Sequence, residues 1–175
     1  NPIPNIYNPF WGGAFFVRGI TPAESTLILN DCTLRNNVAV SDSGVIDSIG
    51  VSVVAIDSVF TENRSGNDGG VAYIDGVSQF VNCRFEQNYA ERDGGVAFLD
   101  GISQFLNCRF EGNHAERDGG AFNSFGVNSY ENCQFKNNEA KNDGGVMWAD
   151  SDSSFVSCQF EGNHAYKFGG ALLFE

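Results

Sequence analysis

The chain has 175 residues, 42% of them apolar, which is one domain's worth of sequence with enough hydrophobic content for a core. Its 22 acidic residues outnumber the 10 basic ones, for a formal net charge of −12. That balance excludes the basic face that nucleic acid demands and disfavours docking on anionic lipid, and no apolar run is long enough for a membrane-crossing helix.

The chain begins at Asn1 rather than methionine, as expected of a protein that has lost a leader or of a piece of a longer one. Residues 1–11 are Pro-rich and form a predicted N-terminal cap or arm. The prolines at 2, 4 and 9 cannot donate to a strand ladder, so this segment either blunts the edge of the first coil or reaches onto a neighbour. Residues 12–175 form a second unit, a repeat array opening on Gly12-Gly13. The stretch from Arg18 to Thr26 is polar and carries Gly and Pro, and it reads as an insertion looping out of the first coil.

A 25-residue period then takes over. Phe60, Phe85, Phe110, Phe135 and Phe160 keep register, as do Asn63, Asn88, Asn113, Asn138 and Asn163, and Cys83, Cys108, Cys133 and Cys158. Gly-Gly pairs recur at 69–70, 94–95, 119–120, 144–145 and 169–170. Such a period marks a solenoid. Within the unit 69–93 three short apolar segments, VAYI, SQFV and CRFE, are separated by Gly, Asp and Asn, and none has a helical period. The expectation is an all-β parallel β-helix (β-solenoid) of about six coils, three short strands per coil, stacked at ~4.8 Å.

Alternation in Cys83-Arg84-Phe85-Glu86 sends Cys and Phe inward and the charges to water. Stacked phenyl rings follow, and sixteen Phe against one Met fits such a core. The repeated Asn leaves each strand at a corner, where its amide can bond its own turn and the Asn of the next coil. Asn63 also opens an Asn-Arg-Ser glycosylation sequon, but a ladder position points it inward. The cysteine column reads as small buried hydrophobes with free thiols. Vertical disulfides are within reach, but side chains in register lie parallel, and the total of five Cys leaves at least one unpaired. No zinc spacing is present. Each Gly-Gly marks a corner with no room for a side chain.

The strand after Gly-Gly is apolar on both faces, so its outer row, Tyr73, Phe98 and Trp148, is a candidate partner surface unless the arm covers it. Two acidic rows flank this strand. Asp68, Asp93, Asp118 and Asp143 precede the Gly-Gly corner and are candidate Ca²⁺ ligands, the one cofactor entertained; Asp75, Asp100 and Asp150 follow the strand. Arg92 and Arg117 adjoin the first row and read as its charge partners, and His114 and His164 lie two coils apart, too far to share a ligand. The chain closes on Gly-Gly-Ala-Leu-Leu-Phe-Glu, an apolar strand without an evident cap, so copies are expected to stack end to end into a homopolymer.

FTEN (60–63), FEQN (85–88), FEGN (110–113), FKNN (135–138) and FEGN (160–163), with GGAF (12–15 and 119–122) and GGAL (169–172), resemble the paired repeats of the chlamydial polymorphic outer membrane proteins. That resemblance implies a right-handed parallel β-helix and a role as a surface adhesin. Corners reading GGV at 69–71, 94–96 and 144–146 depart from it. The acids recur in every coil and nothing singular breaks the repeat as an active site should. The expected function is therefore a non-catalytic extracellular or cell-surface structural protein, a filament subunit or an adhesive stalk. The alternatives are a carbohydrate-binding module or adhesin using Tyr73, Phe98 and Trp148 against a glycan or surface receptor, and a polysaccharide lyase or hydrolase.

Overall fold

The computed structural model describes residues 14–19 and 25–175. The Pro-rich arm at 1–11 and the middle of the Arg18–Thr26 insertion lie outside the described residues.

Every regular element among the described residues is a strand, and every pairing is parallel between coils one repeat apart. One coil shows the pattern: Ala97–Leu99, Ile102–Leu106, Arg109–Glu111 and His114–Ala115. Their equivalents stack into a seven-stranded first sheet and three six-stranded sheets. The chain is thus a parallel β-solenoid. Three strands per coil were legible in the sequence; the fourth adds a correction. It lies in what the sequence suggests is a loop, and holds only two residues, such as Tyr89–Ala90 or Glu139–Ala140. Two residues are too few for alternation to register.

Corners set the path. Asn82, Asn107 and Asn132, before each Cys, have φ of 54°, 54° and 53°. Asn tolerates this left-handed region better than other residues with a side chain. The Gly-Gly corner has two separate needs. Gly94 sits at φ 67°, whereas a Cβ on Gly95 would meet the Gly120 carbonyl oxygen at 2.2 Å. The first glycine also faces a close approach, since a Cβ there would meet the Ala97 carbonyl oxygen at 2.3 Å; the second answers a close approach alone.

Inside, Phe60, Phe85, Phe110, Phe135 and Phe160 stack with centroid spacings of 4.9, 5.0, 5.0 and 4.8 Å. A second column, Phe80, Phe105, Tyr130 and Phe155, stacks at 4.9, 5.0 and 4.7 Å. The two columns meet edge to face, as in Phe80–Phe85 at 5.5 Å and 72°. Burial of each ring is worth about 1.5–3 kcal/mol and each good aromatic pair about 0.5–1.5 more, so the twin columns dominate cohesion between coils.

Candidate functional site

The asparagines leaving the third sheet form a continuous amide ladder. Asn63 Nδ2 donates to Asn88 Oδ1 at 3.0 Å, Asn88 Nδ2 to Asn113 Oδ1 at 3.0 Å, Asn113 Nδ2 to Asn138 Oδ1 at 2.9 Å, and Asn138 Nδ2 to Asn163 Oδ1 at 3.0 Å. The second Nδ2 hydrogen goes to the carbonyl of the inward residue of the preceding coil's third strand, as from Asn113 to Phe85 O at 2.9 Å. Asn37, which the sequence reading did not include, extends the ladder by donating to Asn63 Oδ1 at 2.9 Å. Leu34 replaces the motif's phenylalanine in that coil, which hid it; Leu34 pairs in register with Phe60.

The cysteines stand one per coil as free thiols. Each donates to carbonyls at the strand end, as Cys83 Sγ does to Val81 O and Ala55 O, both at 3.4 Å. Contact with the thiols of Cys133 and Cys83, and burial, push the Cys108 thiol well above its ordinary range.

The Asp68, Asp93, Asp118 and Asp143 row is hydrogen-bonded from coil to coil. Asp68 Oδ1 accepts from the Asp93 amide at 3.2 Å, Asp93 Oδ1 from Asp118 at 3.0 Å, Asp118 Oδ1 from Asp143 at 3.2 Å, and Asp143 Oδ1 from Phe168 at 2.9 Å. The outer oxygens face guanidinium groups. Arg92 lies 3.6 Å from Asp68 Oδ2 and 3.9 Å from Asp93 Oδ2; Arg117 lies 3.7 Å from Asp93 Oδ2 and 3.8 Å from Asp118 Oδ2. Among the described residues no group of three or more His, Cys, Asp or Glu is placed to hold a metal ion. Burial, opposed by Arg92, pushes Asp68 up to about 6, and burial with the neighbouring Asp93 raises Asp118.

Tyr73, Phe98 and Trp148 do share one outer row of the first sheet, but the row is interrupted: the register runs Tyr73, Phe98, Asn123, Trp148. Tyr73 stacks on Phe98 at 5.1 Å. At Asn123 the aromatic is missing, and Phe125, two residues later, leans in at 5.4 Å from Phe98 and 5.3 Å from Trp148. Phe125 occupies the position held by Asp100 in the coil before.

The outer row is thus broken at Asn123, as it is at Asp47, which pairs in register with Tyr73, and neither break is evident from the recurring positions. Residues 94–105 read GGVAFLDGISQF, whereas 119–130 read GGAFNSFGVNSY. Aligning the coils on the Gly-Gly pairs exposes the swap; attention to the recurring positions concealed it. Beside the swap a cleft of about 320 Å³ opens, lined by Phe98, Phe125 and Trp148, by Asn123, and by Arg92 and Arg117 with their aspartates from the preceding corner. Asn123 is 4% exposed and its Oδ1 has no hydrogen-bond partner.

The four stacked sheets, amide ladder and inner aromatic columns define a parallel β-solenoid repeat protein. Residues 157–175 match the family model for the Chlamydia polymorphic membrane protein (Chlamydia_PMP) repeat. That stretch contains FEGN at 160–163 and GGAL at 169–172, the motifs that carry the likeness. No curated protein and no solved structure matches the chain.

Proposed function

We propose that this chain is a non-catalytic structural β-solenoid displayed at a cell surface, where its stacked coils form a stiff stalk. The observation that carries the reading is the unbroken amide ladder from Asn37 to Asn163, which ties every coil to the next by side-chain as well as backbone bonds. Stiffness follows, because a coil cannot tilt on its neighbour without breaking buried bonds that water cannot replace. The acids likewise serve architecture: those before the Gly-Gly corner are bound to backbone amides and guanidinium groups in every coil. The match to a repeat of a polymorphic membrane protein supports the surface setting.

The test is antibody labelling of intact cells that make the native protein. Labelling without permeabilisation is expected, together with no turnover of polysaccharides in lyase and hydrolase assays. Labelling only after permeabilisation overturns the surface setting, and turnover overturns the non-catalytic reading. Sedimentation velocity of the same protein distinguishes a single stalk from copies stacked end to end as a filament.

A further inference from the structure

We propose that the cleft at the broken coil is a binding site for a neutral saccharide of one or two rings, in which Asn123 and Trp148 are the specificity-determining contacts. This goes beyond the stalk reading and does not rest on it.

The cleft exists because of the swap. In the coil before, the outer row carries Phe98 and Asp100 follows the strand; in the broken coil Asn123 stands under Phe98 and Phe125 takes the Asp100 position. The exchange removes a ring from the row and supplies one at its edge. It leaves an amide 4% exposed whose oxygen finds no protein partner. A buried polar atom without a partner is expensive, so a ligand hydroxyl that meets this amide repays a cost the fold already carries. A turn of the amide about χ2 offers either its donor or its acceptor side.

The remaining lining sets the ligand's chemistry. The aromatic side chains of Phe98, Phe125 and Trp148 suit the apolar C–H surface of a pyranose, while Arg92 and Arg117 with the intervening Asp93 supply planar donors and acceptors for ring hydroxyls. An acidic sugar or a phosphate is disfavoured. Each guanidinium already lies within 4 Å of two carboxylates, Arg92 between Asp68 and Asp93 and Arg117 between Asp93 and Asp118. An anion would have to displace one of them. The volume, about 320 Å³, is at the lower end for small-molecule sites and fits one or two rings.

The experiment screens the chain on an array of neutral, sialylated and sulfated glycans, then titrates methyl glycosides of the hits while following Trp148 fluorescence in a W11F background. Neutral glycans are expected to bind. Trp148→Ala, titrated by calorimetry because it removes the fluorophore, and Arg117→Gln should each weaken binding about tenfold, the scale of one lost aromatic or charged contact. The pair Asn123→Phe with Phe125→Asp restores the pattern of the preceding coil, so it should abolish binding while keeping the wild-type circular dichroism spectrum. The proposal is overturned if no neutral glycan binds, if acidic glycans or peptides bind in preference, or if the restored coil binds as well as the natural one. None of these results bears on surface display.

Discussion

Replacing Asn113 by Ala tests the ladder where it is deepest. Asn113 Oδ1 accepts from the Asn88 backbone amide and from Asn88 Nδ2, both at 3.0 Å, and its Nδ2 donates to Asn138 Oδ1 and to Phe85 O, both at 2.9 Å. The Asn113 backbone amide keeps its own bond to Asn138 Oδ1 at 3.1 Å. Alanine therefore deletes four bonds and strands two buried donors, the Asn88 N–H and one Asn88 Nδ2 hydrogen. At about 1–3 kcal/mol per stranded donor the cost is about 2–6 kcal/mol, a large part of the roughly 5–15 kcal/mol that holds a domain folded. A chain of this length loses roughly 2–4 °C of Tm per kcal/mol, so Tm should fall by at least about 4 °C. Guanidinium unfolding followed by circular dichroism measures it. Asn113→Asp sharpens the argument, because it keeps the accepting oxygen but turns the second oxygen toward two acceptors, Asn138 Oδ1 and Phe85 O. At neutral pH it should destabilise more than alanine. Its carboxyl pKa is raised by this site, so the deficit should shrink as pH falls. Asn107→Gly is the control, since glycine keeps the φ of 54° and that amide lies on an exposed corner and bonds only Asn82 Oδ1 among side chains. If Asn113→Ala costs no more than Asn107→Gly, the ladder is not what binds coil to coil.

Tyr130 has a fully buried hydroxyl without a partner in a column otherwise made of phenylalanine, so Tyr130→Phe should stabilise the chain by about 1–3 kcal/mol, read as a rise in Tm. Asp47 is 1% exposed, and burial, reinforced by Asp42 and opposed by Arg18, pushes its carboxyl up to about 6. A raised carboxyl stabilises below its unfolded pKa and loses that contribution as pH rises through about 6. Asp47→Asn should therefore gain about 1–3 kcal/mol at neutral pH and flatten the stability profile between about pH 4 and 7, as measured by denaturation across pH. Cys108 should react with a disulfide reagent in the native state far more slowly than in denaturant, because only a thiolate attacks and this thiol is buried and pushed up; equal rates would refute its placement.

Identical residues at a fixed step were legible because each recurs in the same physical place. Phe85 and Phe110 are in register across the third sheet, as are Tyr89 and His114 in the fourth, yet only the former advertise themselves by identity. The fourth sheet was missed for that reason: its inward residue is an alanine such as Ala90 or Ala115, and its outward residue is Arg, Tyr, His or Glu by turns. The second ring column was likewise obscured, because Ala55 precedes Phe80 and Tyr130 follows Phe105 in the same register. The cleft was hidden more deeply. Asn123 and Phe125, like Asp47 and Ile49, depart from what the pattern supplies, and recurring identities do not reveal such positions.

The coil of Asn123 and Phe125 also had to remain packed, and its interior shows how. The inward pair of the first sheet is Ala97 and Leu99 in one coil and Phe122 and Ser124 in the next, all buried. A small residue followed by a large one has become a large residue followed by a small one, at nearly the same total volume. Phe122 lies 5.0 Å from both Phe105 and Phe110 and 5.2 Å from Tyr130, so it is braced by both columns. Phe122→Ala alone leaves a cavity among those rings and should cost about 3–5 kcal/mol. Ser124→Leu alone forces extra methylenes against Phe122 and removes the acceptor of Asn128 Nδ2, at about 1–3 kcal/mol. Made together, the two changes reproduce the pair of the preceding coil, and Asn128 Nδ2 retains its bond to Gly126 O. The double variant should then cost less than Phe122→Ala alone, a coupling energy of at least about 1 kcal/mol by double-mutant cycle. Simple additivity would mean that the two positions do not share a volume, and that the exchange of residues outside the coil was made without compensation within it.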